Sequence, residues 1–251
     1  MSTQTALSPR STGAVTTRVL TQLRRDHRTL AMLLVLPCAL ISLLWWMFEG
    51  LSGDGFSRLG PALLALIPFV IMFLVTSVTT LRERTSGTLE RLLAMPMGKL
   101  DFLLGYALAF GLVAALQSAL AVAVCVWLLD LTIVGSAWML MVVAVFDAVL
   151  GTALGLLVSA FARTEFQAVQ FMPAVVIPQI LLCGLFVPRE LLPRTLEVIS
   201  DVLPLSYAVD AMQTVASSTQ TAEVWGDILI IAAYVVAGLA LGALTLRRQS
   251  A

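Results

Sequence analysis

The chain has 251 residues, 59% of them hydrophobic and 12% charged, with 15 Lys and Arg against 15 Asp and Glu. Its mean hydropathy is +0.97. So few charges cannot clothe a water-facing surface, which excludes a soluble globular fold. Cys38, Cys125 and Cys183 all lie in apolar runs and read as small apolar side chains rather than a disulfide set. With His27 the only histidine and no Cys-x-x-Cys, no metal site is expected.

Residues 1–29 are largely polar. They are too long for the charged lead of a signal peptide and no Ala-x-Ala follows, so the first apolar run is expected to stay in the mature protein. Within them Val15, Val19 and Leu23 recur every four residues, with Leu20 beside them and Arg18, Arg24, Arg25 and Arg28 on other faces. That pattern predicts an amphipathic helix at a membrane surface; the alternative is a charged, disordered lead-in. Five runs then have the length to cross about 30 Å of hydrocarbon: residues 30–48, 59–81, 102–129, 137–162 and 225–246. A sixth, 168–187, holds Pro173 and Pro178 and reads as a kinked span, because neighbouring helices can satisfy the carbonyls that proline frees. Residues 188–224 carry apolar pieces too short to span, broken by Pro193 and Pro204, and are expected to re-enter or lie at the interface.

The expected fold is all-α and polytopic, with six transmembrane helices, an N-terminal interfacial helix and external re-entrant helices between spans five and six. Residues 1–29 form a cytoplasmic N-terminus, 30–246 the transmembrane domain and 247–251 a cytoplasmic tail. Basic residues set this orientation. Twelve of the fifteen Lys and Arg fall on the side of the N-terminus and only Arg58, Arg189 and Arg194 on the other. Trp45, Trp46, Trp127, Trp138 and Trp225 all fall at the outer ends of spans, where an aromatic belt sits.

Two places carry possible chemistry. In the loop 82–101, a helix can begin at Thr88 and end at Pro96, placing Leu89, Leu92 and Leu93 on one face with Glu90 and Arg91 off it. Two turns are too short to be stable alone, so this helix needs a surface, either a partner's or its own bundle's. Inside the membrane, Asp147 is the only acid deep within a span. Its placement there is costly, about 2.5–3.5 kcal/mol on insertion scales, so it is expected to face protein or water. Gly151, Gly155 and Ser159 follow it at steps of four and allow another helix to come close. Gln117, at similar depth, is the nearest candidate hydrogen-bond partner. Asp147 either locks two helices together or lies on a substrate or proton path.

The segment Glu83-x-x-x-Gly87-Thr88-x-Glu90-x-Leu92-x-x-x-Pro96 resembles the first cytoplasmic loop of ABC-2 type transporter permeases, above all the short drug-resistance type. Gly184-Leu-Phe-Val-Pro188 and Leu203-Pro204-Leu-Ser-Tyr207-Ala-Val-Asp210-Ala resemble the same family's stretch after the fifth span. The resemblance implies the membrane subunit of an ATP-driven exporter of a hydrophobic drug, lipid or other amphipathic compound, in a bacterial cell membrane. It implies a dimer, homodimeric or heterodimeric, and a separate ABC ATPase docked on a coupling helix made of Glu83, Gly87, Thr88, Leu89, Glu90, Arg91, Leu92 and Leu93. It also implies an outer re-entrant gate that includes Pro188, Pro204 and Tyr207. Gln117 and Asp147 match no family motif. The chain has no Gly-x-x-x-x-Gly-Lys-Ser/Thr, so it is expected to bind no cofactor itself, with ATP and Mg held by the partner, and to act on no nucleic acid. Membrane-enzyme motifs are missing too. An ion-coupled secondary transporter would be expected to carry more intramembrane ionisable groups, and a permease for lipid-linked polysaccharide remains chemically close to the first reading.

Overall fold

The structure, a computed structural model, describes residues 8–49, 55–86, 99–219 and 222–245, and among these it is helical with no strand. In chain order the α-helices are α1 (Pro9–Arg25), α2 (His27–Glu49), α3 (Gly55–Thr85), α4 (Lys99–Ala123), α5 (Ala137–Ser159), α6 (Glu165–Leu182), α7 (Arg194–Val202), α8 (Pro204–Ser217) and α9 (Ala222–Thr245). Among the described residues six helical stretches are long and apolar enough to cross a membrane: His27–Phe48, Gly55–Thr85, Asp101–Leu128, Ala137–Ser159, Glu165–Leu182 and Ala222–Thr245. The six expected spans therefore appear, differing only by a few residues at their ends. The fifth stops earlier than expected, at Leu182, and the chain reverses through Gly184 at φ +89, a conformation favoured by glycine because it has no Cβ.

Helix α3 is the axis of the bundle. Its most apolar stretch is 67% buried, against 17% for α2 and α6 and 22% for α9, whose apolar surfaces are mostly exposed in the single chain. It packs on α5, α2, α8, α6 and α4. At 31 residues it is about 46 Å long, more than the hydrocarbon core, so its last turn stands beyond the spans. The tightest contact is with α5. A Cβ added to Gly151 would lie 2.5 Å from the Phe69 carbonyl oxygen, and one added to Gly155 would lie 2.5 Å from that of Phe73. These glycines are what lets the two backbones meet, as the small-residue strip after Asp147 predicts.

Helix α1 and the last turns of α9 lie at the same end of the bundle: Val15, Val19 and Leu23 join a buried cluster with Leu33, Phe102, Leu103 and Tyr106, against which Ala243 also packs. The amphipathic helix expected there is present, but its apolar face is buried against α4 rather than left bare for a leaflet. Gly105 makes the fit possible, since a Cβ there would lie 2.6 Å from Val15. Asp26 breaks the chain between α1 and α2 and caps the latter, its carboxylate accepting from the Thr29 amide at 3.1 Å and hydroxyl at 2.7 Å.

At the opposite, distal end α4 widens into one π-helical turn, Val124–Leu128, that turns Trp127 out to 78% exposure. Trp46, Trp138 and Trp225 are exposed at the same end, in keeping with the expected belt. The stretch between α6 and α9 folds there as a 3-10 turn (Arg189–Leu191), the short exposed α7 and the buried α8. Leu205, Ala208, Val209, Ala211, Met212 and Val215 of α8 are all fully buried among α3, α5 and α9. The loop before α5 seats on its last turn, with the Val134 and Gly135 amides donating to the Ala216 and Val215 carbonyls at 2.9 and 3.0 Å.

Candidate functional site

Three groups of polar side chains stand out, one at each end and one in the middle. The first lies at the end of α3. Three consecutive side chains there grip three different helices. Arg82 donates to both oxygens of Glu165 at the start of α6, at 2.9 and 3.0 Å. Glu83 accepts from Arg18 at 2.9 Å and from Gln22 at 2.8 Å, both on α1. Arg84 donates to the Ser159 carbonyl, satisfying an orphan group at the last turn of α5 and meeting the negative end of that helix dipole. Successive helix positions point about 100° apart, so three neighbours can reach three directions. The α1 side of this hub is closed by buried Asp101, whose carboxylate accepts from the Ser8 amide at 2.9 Å and the Thr12 hydroxyl at 3.2 Å.

Of the residues expected to dock an ATPase, only Glu83 falls in the described part of the chain, and its carboxylate is engaged by α1. Gly87, Thr88, Leu89, Glu90, Arg91, Leu92 and Leu93 lie outside the described residues. Arg18, Arg82, Arg84 and Glu165 were not singled out from sequence. The legible signal was the Arg-Glu-Arg run at the end of a span, which charge counting alone treats as topology.

The middle group is Asp147 and Gln117. Both are fully buried, and neither side chain has a hydrogen-bond partner among the described residues. The expected bond between them is not formed. Ser118 makes the cross-helix contact instead, donating to the Ala144 carbonyl at 2.9 Å. Gln117 stands about 100° round the helix from Ser118, so the face of α4 turned to α5 carries the serine rather than the glutamine.

The distal group surrounds Arg189. Its guanidinium bridges the Asp210 carboxylate on α8 and the Asp201 carboxylate at the end of α7, and lies 5.4 Å from the ring centroid of Tyr207. Tyr207 donates its hydroxyl to the Asp201 carbonyl at 2.6 Å, and Tyr234 of α9 donates to the Val202 carbonyl at 2.7 Å. Ser200 donates to the Leu182 carbonyl at 2.7 Å, and the Leu205 amide to Gln179 at 3.3 Å. Burial raises the Asp210 carboxyl above its ordinary range, with Arg189 drawing it back down. Burial alone would lower the Arg189 guanidinium, but its two acids outweigh that and raise it. Of the residues expected in an outer gate, Pro188 precedes the 3-10 turn, Pro204 opens α8 and Tyr207 stacks on Arg189. The ion pairs of Arg189 were not foreseen, because its partners lie 12 and 21 residues away. No group of His, Cys, Asp and Glu suited to a metal ion occurs among the described residues.

A helical bundle with six stretches long and apolar enough to cross a membrane, and with polar clusters at both ends, is a polytopic membrane protein. The family model for the ABC-2 type transporter matches residues 10–216. The chain belongs to that family, as its loop and post-span motifs suggest. It is 25% identical over 194 residues to the ABC transporter G family member 20 of Dictyostelium discoideum, a match covering 76% of this chain and 27% of that protein. It is 29% identical over 150 residues to the probable multidrug ABC transporter permease YbhR of Escherichia coli K12, covering 60% and 41%. With the linearmycin resistance permease protein LnrN of Bacillus subtilis it shares 24% over 183 residues, covering 72% and 47%. The matches span less than half the length of each of these relatives.

Proposed function

We propose that this chain is the pathway-forming subunit of an ATP-driven exporter, in a bacterial cell membrane with both termini in the cytoplasm. A separate ABC ATPase docks on the coupling helix of Glu83, Gly87, Thr88, Leu89, Glu90, Arg91, Leu92 and Leu93, chiefly through its three leucines, and a second permease copy completes the pathway. ATP and Mg belong to the ATPase. The cargo is a hydrophobic or amphipathic compound, as the family resemblance implies, and the likeness to a multidrug permease and a linearmycin resistance permease supports a drug among such compounds. Residues 1–29, 30–246 and 247–251 serve as cytoplasmic lead, transmembrane domain and tail. The outer end is closed by the stretch that holds Pro188, Pro204 and Tyr207.

The observation that carries this reading is the hub at the end of α3. The docking leucines follow directly in sequence, and the last turn of α3 before them is tied through Arg82, Glu83 and Arg84 to α6, α1 and α5. A pull on that segment is therefore delivered to three helices at once. Asp147 and Gln117, fully buried and without a side-chain partner among the described residues, fit groups that gain partners when the bundle rearranges during transport.

The test is co-purification of the permease with the soluble ABC ATPase encoded nearest to it. Joint substitution of Leu89, Leu92 and Leu93 by Asp is expected to abolish capture while the permease still inserts. Undiminished capture would place the docking surface elsewhere. A reporter fused after Arg248 is expected to be active only in the cytoplasm; periplasmic activity would reverse the topology.

A further inference from the structure

We infer that Arg189 is the positioning residue of the outer gate, a latch whose two ion pairs hold the 3-10 turn and α7 down on α8. The inference rests on the reading of this stretch as a gate and adds the group that keeps it shut. The two halves of the cover differ in how they are held. Helix α8 is embedded in the bundle, whereas Leu191, Leu196, Val198, Ile199 and Val202 of the overlying piece are all exposed. Little apolar burial therefore anchors the upper piece, and polar contacts must do so.

Ser200, Tyr207 and Tyr234 supply neutral hydrogen bonds, and the charged contacts to α8 meet at one side chain. Arg189 spans from Asp210 below to Asp201 beside it, and Tyr207 covers its face at a distance suited to a cation–π contact. The Arg189 side chain is only 16% exposed, and its Nε is buried without an acceptor, so both ends of the fork are committed to the two acids. Gly184 makes this possible, since its turn brings Arg189 back over the end of α6, and a Cβ there would stand 3.5 Å from the Arg189 Cγ. Lifting the cover separates Arg189 from Asp210 while the α7 pair with Asp201 can travel with it. The Arg189–Asp210 pair is thus the ion pair that opening must break, together with the neutral bonds of Ser200, Tyr207 and Tyr234.

The chain carries its own reporter for this motion. Cys183 sits at the base of the cover, fully buried, with its thiol donating to the Ile180 carbonyl at 3.3 Å. The experiment is labelling of the purified full-length permease in lipid nanodiscs with a membrane-impermeant maleimide, the modified cysteine being located by peptide mass spectrometry. No ATPase is present, so the outcome is independent of where the ATPase docks. Arg189→Gln is expected to speed Cys183 labelling about ten-fold, the effect of shifting a closed–open balance by one charge-assisted pair. Asp210→Asn is expected to act in the same direction, and the charge-reversed pair R189D with D210R to return the rate towards that of the unaltered protein. Labelling of Cys183 unchanged in both single variants would overturn the latch. So would faster labelling that the reversed pair does not restore, or loss of folded protein in both single variants, because a group that only positions a gate is dispensable to the bundle.

Discussion

Arg18 on α1 donates to Glu83 on α3 across 2.9 Å, joining residues 65 positions apart. Gln22 occupies the other oxygen of the same carboxylate at 2.8 Å. Glu83→Gln removes the charge from both contacts, and charge-assisted bonds of this kind contribute about 1–2 kcal/mol when partly exposed. Amides of α1 are expected to exchange faster by a corresponding factor while the six spans stay protected. Unaltered exchange in α1 would mean that apolar packing on α4 holds it alone.

Glycines with and without a close neighbour make a paired test of the α3–α5 contact. Gly155→Ala drives a Cβ towards the Phe73 carbonyl, which cannot move aside as a flexible side chain could. It is expected to lower stability in detergent by roughly 1–3 kcal/mol. Gly13→Ala and Gly226→Ala meet nothing within 4 Å, and each is expected to add up to about 1 kcal/mol through helix propensity. Thermal unfolding followed by intrinsic fluorescence reads all three. A neutral Gly155→Ala would contradict the close approach.

Asp147 separates stability from transport. A fully buried polar group without a partner costs about 1–3 kcal/mol, so Asp147→Leu is expected to raise the melting temperature in detergent. If Asp147 serves the pathway, drug-stimulated ATPase activity of the assembled exporter falls in the same variant. A variant that is less stable instead would show that the carboxyl is satisfied in the native membrane and locks helices.

Acid should loosen the elbow between α1 and α2. Bonds from the Thr29 hydroxyl and amide hold the Asp26 carboxyl below its ordinary range. Since the folded value is the lower one, the stabilisation is fully present above the unfolded value of 3.8 and is lost as pH falls through the folded value. Asp26→Asn keeps a capping oxygen and is expected to remove this pH dependence, whereas Asp26→Ala loses roughly 1 kcal/mol at neutral pH. Protection factors for the amides of residues 27–30, corrected for intrinsic exchange, distinguish the two.

Hydropathy and proline placement were enough to locate the spans, because a stretch that must cross hydrocarbon announces itself by length and by absence of charge. The apolar row Val15, Val19, Leu23 likewise predicted a helix, and the strip Gly151, Gly155 predicted a close approach, since both depend only on residues a few positions apart. Local pattern could not say what those faces would meet. The row could equally have met lipid or protein, and it is the bare Gly105 on α4 that receives Val15. Gln117 was matched to Asp147 by depth alone, and a 100° difference of facing gave the contact to Ser118.

Composition and periodicity determined that this chain is a six-span helical membrane protein, and its short motifs pointed to the ABC-2 family. Tertiary structure alone decided the partners of its charged side chains. Arg82 and Arg84 read in sequence as a basic span end, Glu83 as the start of a docking motif, and Arg189 as one of three outer cations. Their meaning comes from Glu165, Arg18, Ser159, Asp201 and Asp210, most of them tens of residues distant. An ion pair depends on separation in space, and separation in space is set only when the helices have packed.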